Sequence, residues 1–192
     1  MKTLISKLTN IALLLFCISP LFSQGLTNQQ FNKAVKDADI EYYYNADYGK
    51  AASQYEYLIN IYPDNCNLLA KLGICYLNID GKKADAMKLL EKASANVVAS
   101  EKEYEEYGEK APLDVYLYRA IAYHRNDSLK KAETLYYDAK KRLAGSETYT
   151  EDYIDNQIRD CRYALEMKKK PLTIISKLFA PWLNEYPGAC NP

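Results

Sequence analysis

The stretch KLGICYLNIDGKKADAMKLLEKA, residues 71–93, decides the fold. Gly73 stands three places before Tyr76, the segment Asn78-Ile79-Asp80-Gly81 breaks the pattern, and Ala86, Leu90 and Ala93 then recur at helical spacing. Small residues belong where two backbones approach closely, and larger apolar ones fill the space between them. The stretch therefore predicts two helices packed back to back across a short turn. The same arrangement recurs on both sides. Upstream, Ala51, Tyr55 and Leu58 follow Tyr42; downstream, Ala132, Tyr136 and Ala139 follow Ala120 and Tyr123. Tyr42 and Tyr76 lie 34 residues apart, and Pro63 closes the first copy just past its second helix.

That period and punctuation are those of the tetratricopeptide repeat. The expected fold is all-α: a solenoid of about three helix pairs, at about residues 32–65, 66–99 and 112–146. A capping helix at 150–169 presents Ile154, Ile158, Cys161 and Leu165 as one apolar stripe, enough to cover the last repeat on one side. Residues 171–192 read as an extended tail, apolar from Leu172 to Ala180 and then rich in turn residues. Residues 97–112 interrupt the period, so Tyr76 and Tyr123 are 47 apart instead of 34. The run from Ser100 to Tyr107 is charged, and it reads as a solvated loop with a short helical turn in preference to a functional acidic patch.

The N-terminus has a different character. Lys2 and Lys7 precede an apolar run from Ile11 to Ile18, and Leu21-Phe22-Ser23 offers a cleavage site. Residues 1–23 thus read as a secretory signal peptide. The run is too short for a membrane-spanning helix, which needs about 20 apolar residues. Phe16 is too bulky for a lipoprotein site at Cys17. Cleavage leaves about 169 residues, enough for one domain with a sizeable core. The 25 basic and 25 acidic residues become 23 and 25 once Lys2 and Lys7 are removed. This near-neutral balance, without a basic stripe, argues against nucleic acid as a partner.

Four cysteines remain after cleavage: Cys66, Cys75, Cys161 and Cys190. The first two fall on one predicted helix, about 13 Å apart, beyond the reach of a disulfide. Buried free thiols are the expectation. With no CxxC and a single histidine, His124, the sequence offers neither a zinc site nor a Cys/His nucleophile pair. It has no phosphate-binding glycine loop and no nucleophile elbow, so no cofactor or enzymatic activity is expected.

Several stretches resemble a more specific group. They are Leu72-Gly73-Ile74-Cys75-Tyr76-Leu77-Asn78, Ala111-Pro112-Leu113-Asp114, Ala120-Ile121-Ala122-Tyr123-His124 and Gln157-Ile158-Arg159-Asp160-Cys161-Arg162-Tyr163-Ala164. Lys169 to Pro171, and the tail with Pro181, Asn184-Glu185-Tyr186 and Asn191-Pro192, continue the likeness. Over about residues 27–192 the chain resembles the N-terminal region of Bacteroidota envelope proteins. In those proteins tetratricopeptide repeats precede a WD40-like β-propeller and an OmpA-like peptidoglycan-binding domain. The resemblance implies a periplasmic or outer-membrane-associated setting and a link to a peptidoglycan-anchored or type IX secretion complex. This sequence stops where the propeller would start, and Arg119 stands where such repeats usually place leucine.

In a repeat solenoid the first helix of each pair lines the concave face. Residues a turn apart on those helices are the candidate partner-binding positions: Lys36, Ile40 and Tyr43; Ala70, Ile74 and Asn78; Leu117, Ile121 and Arg125, with His124 beside them. The functional expectation is a non-catalytic, exported interaction scaffold that takes a peptide or envelope protein in this groove. The alternative is a structural stem of a larger envelope protein.

Overall fold

The computed structural model describes residues 25–146 and 148–169; the expected signal peptide, Cys190 and the tail lie outside them. Among the described residues seven α-helices follow one another: α1 Asn28–Tyr43, α2 Tyr48–Ile61, α3 Cys66–Leu77, α4 Lys83–Ala93, α5 Val115–Arg125, α6 Leu129–Arg142 and α7 Glu151–Lys169. Among the described residues the only extended pairing is a single bridge between Val97 and Ala111. The expected all-α fold is therefore observed.

Local chemistry fixes the helix starts. Thr27 and Gln30 form a reciprocal capping box on α1, with backbone-to-side-chain bonds of 3.3 and 2.9 Å. Asp47 accepts the Lys50 N–H at 2.9 Å, and Asn65 accepts that of Leu68 at 3.0 Å. The α3–α4 turn needs a left-handed residue, and Gly81 supplies it with φ 78°.

Each helix packs on its neighbours in sequence: α1 on α2, α2 on α3, and so through to α6 on α7. The result is a stack of helix pairs, with α1, α3 and α5 as first helices and α2, α4 and α6 as second. Small residues make the closest approaches. Ala38, Ala51, Ala86, Ala93, Ala120, Ala132 and Ala139 are wholly buried. At Gly73 a Cβ would stand 2.7 Å from Leu90 Cγ, so α3 and α4 meet too closely there for any side chain.

Two sequence expectations need correction. Tyr76 and Tyr123 are equivalent: each reaches back to a glutamate on the preceding helix pair, Glu56 and Glu91 respectively. Tyr42 has no preceding pair to reach, and its ring packs on Tyr43 and Tyr48 instead, at 4.6 and 5.6 Å. The 97–112 insertion is also not merely solvated. Val98 and Ala111 are buried, and hydrogen bonds from Val98 N to Ala111 O and from Ala111 N to Asn96 O close its neck. Arg119, half-buried, fills the leucine-like position by donating to Ser94 Oγ at 2.8 Å and lying over the Tyr116 ring.

Candidate functional site

The inner faces of α1, α3 and α5 form one continuous wall, stitched at three places. Lys71 on α3 donates to both carboxylate oxygens of Asp39 on α1, at 2.7 and 2.8 Å, and Tyr55 donates to the same carboxylate. Arg125 on α5 donates to the Leu77 carbonyl at the end of α3, at 2.5 Å. Beyond α5, Tyr149 donates to Asp114 Oδ2 at 3.0 Å, and its hydroxyl meets that of Tyr118 at 3.1 Å.

Most of the wall is tyrosine and acid. Tyr43 packs edge to face on Tyr42 at 4.6 Å, and 67% of the residue is open to water. Tyr42 and Tyr104 are half-buried, and burial pushes both phenols above the usual tyrosine range. Burial likewise raises the Asp114 carboxyl, whose Oδ1 is enclosed without a hydrogen-bond partner. Lys71 is the wall's central cation, and Asp39 neutralises it.

Of the expected positions, Lys36, Ile40, Tyr43, Asn78 and Arg125 are exposed, and Ile74 is half-buried. Ala70 and Leu117 are corrections: at 0% and 1% exposure they are core, turned toward the second helices, and present no surface to a partner. Ile121, at 9%, is also essentially core. His124 points away from the wall to Tyr136 on α6, at 3.1 Å, and burial lowers its pKa. The inward positions on α3 and α5 are instead Asn67, Lys71, Ile74 and Asn78, and Asp114, Tyr118 and Arg125. A helical step of four from Asn67 to Lys71, repeated from Asp114 to Tyr118, was the signal for them in the sequence.

The insertion is pinned to this wall at the start of α3. Asn67, 2% exposed, donates to Glu106 O at 2.8 Å and Gly108 O at 3.2 Å, while its backbone N–H is taken by Glu109 O. Tyr104 donates to Asn67 Oδ1 at 3.2 Å. A hollow of about 740 Å³ lies away from the wall, between the insertion and the end of α6 around Glu101, Leu113 and Leu143.

Among the described residues no three His, Cys, Asp or Glu side chains are grouped to hold a metal ion. Cys66, Cys75 and Cys161 are buried free thiols, and burial pushes Cys75 up to about 12. No helix among the described residues is long and apolar enough to cross a membrane.

Comparison with known proteins places the architecture. No protein-family model matches the chain, and no curated protein matches it. Solved structures share its fold, two tetratricopeptide-repeat domains among them. One is the first tetratricopeptide-repeat domain of human RPAP3, 19% identical, covering 74% of this chain and 98% of that one, with a TM-score of 0.54. The other is the first such domain of Spaghetti (RPAP3), bound to the HSP90 peptide SRMEEVD. It is 19% identical over 73% of this chain and 99% of that one, with a TM-score of 0.52. The fold is thus a tetratricopeptide-repeat solenoid.

Proposed function

We propose that this chain is a non-catalytic protein-interaction scaffold that takes an extended peptide or a partner-protein segment on its concave wall. The observation that carries the reading is Tyr43: a large ring near the end of α1, held edge to face on Tyr42 and exposed to water. Rigid aromatics of this kind bury much area on contact at little entropic cost, and their hydroxyls bond to a passing backbone. The peptide-bound Spaghetti domain has the same fold and adds support. Its ligand ends in Glu-Glu-Val-Asp; on the wall here Lys71 is neutralised by Asp39, while Lys36 and Arg125 stay exposed.

Export belongs to the same proposal and rests on the character of residues 1–23. The resemblance to Bacteroidota envelope proteins adds the reading that the repeats serve a periplasmic or outer-membrane-associated complex as a module of a larger protein. Blotting the envelope fraction for the native product tests the second point. A band somewhat below the 22.0 kDa of the full chain, as removal of residues 1–23 requires, rejects the larger-protein reading.

Site-specific photo-crosslinking in the source cells tests the wall itself. A benzophenone amino acid at Tyr43 or Asn78 should give a discrete partner adduct, and one at Lys88 on the outer helix α4 should give none. Adducts from Lys88 alone would reject the concave wall.

A further inference from the structure

The insertion builds a second feature, apart from the wall. Between residues 105–109, the first turns of α1 and the end of α2 lies a cavity of about 410 Å³. Phe31, Tyr62 and Tyr107 supply aromatic surface to it, and Glu105, Glu106 and Glu109 line the same space. No lysine, arginine or histidine lines it. Among the described residues none of the three glutamates makes an ion pair. Phe31 and Tyr62 are locked edge to face, with centroids 5.0 Å apart, and Tyr62 is held by donating to the Leu26 carbonyl at 3.2 Å.

Each of these features favours the same visitor. Ring faces carry negative potential and attract cations, and the attraction grows as water is excluded. Three acidic residues lining one space favour a positive visitor over a negative one. An anion would meet both kinds of group unfavourably. The volume lies at the small end of the range for ligand sites, about 300–1,000 Å³, which suits one side chain better than a cofactor. Between the two cationic side chains, guanidinium is the more weakly hydrated, stacks on rings and binds carboxylate through two parallel bonds. Residues outside the described ones contain no arginine, so the chain cannot supply such a group from there.

We propose that this cavity seats an arginine side chain of a partner polypeptide between the aromatic rings of Phe31, Tyr62 and Tyr107 and the carboxylates of the insertion. The insertion then acts as the specificity element of the scaffold, selecting partners that carry an arginine next to the segment lying on the wall.

The chain has four phenylalanines, Phe16, Phe22, Phe31 and Phe179; Phe31 is the one among the described residues, and it lines the cavity. With ¹³C-phenylalanine labelling, titration with N-acetyl-arginine-N-methylamide should move the Phe31 ring signals along a saturable curve in the millimolar range. The glutamate and norleucine analogues should leave them in place. The triple variant Glu105→Gln, Glu106→Gln, Glu109→Gln, folded by circular dichroism, should bind about tenfold more weakly, since it loses the charge-assisted bonds. Three results each overturn the assignment: no saturable shift with arginine, an equal shift with norleucine, or unchanged affinity in the triple variant. Crosslinking from Tyr43 and Asn78 reads the wall and this titration reads the cavity, so either outcome stands without the other.

Discussion

Tyr55 and Tyr136 occupy the same slot in the first and third helix pairs, and each is buried to 0% exposure. Their hydroxyls are answered differently. Tyr55 donates to Asp39, a carboxylate that also holds Lys71 of the next pair. Tyr136 meets the imidazole of His124 within its own pair. The second pair avoids the question by placing Leu90 in the slot, pressed against Gly73. A buried ring with a polar tip needs a partner, and the choice of partner decides whether the slot ties repeats together or only closes one pair. In the first pair the slot thus takes part in coupling to the next repeat, and in the third it does not.

The comparison is broken most forcefully at the ion pair. Asp39 and Lys71 have side chains only 7% and 9% exposed, so removing one leaves a buried charge without compensation. Asp39→Leu should cost about 3–5 kcal/mol in urea unfolding. The double variant Asp39→Leu, Lys71→Met should recover most of that loss, because two apolar groups of similar size replace the pair. If the double variant is as unstable as the single, the loss comes from packing and not from charge. Next in size is the second pair. Gly73→Ala forces a Cβ to 2.7 Å from Leu90 Cγ and should cost about 1–3 kcal/mol, with partial rescue by Leu90→Ala. An unchanged midpoint would mean that α3 and α4 separate easily.

The two tyrosines sharpen the contrast directly. Tyr55→Phe removes a hydrogen bond to an ionised carboxylate and should cost about 1.5–3 kcal/mol. Tyr136→Phe removes one to a neutral ring, with an expected cost of about 1 kcal/mol. Equal losses, measured side by side in denaturant, would mean that the carboxylate adds nothing and that the slots are equivalent.

What the sequence disclosed follows from the same physics. The small residues at Gly73, Ala86, Ala120 and Ala132 carry the fold because close helix contacts tolerate nothing else, and their spacing survives without any structure. The Asp39–Lys71 pair was not legible. Its partners sit 32 residues apart on different repeats, and no periodic position in the sequence links them. The periodic stripe at Ala70 and Leu117 misled for a related reason. Both sides of a first helix are apolar where it packs on two neighbours, so apolar spacing alone does not distinguish the wall from the core. The insertion read as solvated because seven of its residues from Glu101 to Lys110 are charged. Its anchor, Asn67, lies more than thirty residues away, and composition says nothing about such pairing.

His124 offers the gentlest test of the contrast, since it needs no substitution in the first instance. Burial lowers its pKa below the usual 6.5; Arg125 pushes the same way, and Asp160 opposes. A depressed folded-state pKa means that the unfolded chain binds the proton more readily, so stability rises with pH across the window between the folded value and about 6.5. Falling pH through that window should therefore lower the melting temperature by a few degrees. His124→Gln keeps a hydrogen-bonding group near Tyr136 without the titration, and it should flatten the slope in that window. The Asp39 side of the comparison has no histidine, so Tyr55→Phe should shift the whole curve downward without changing its slope there. A slope retained in His124→Gln would assign the titration to another group and dissolve the distinction between the two slots at that pH.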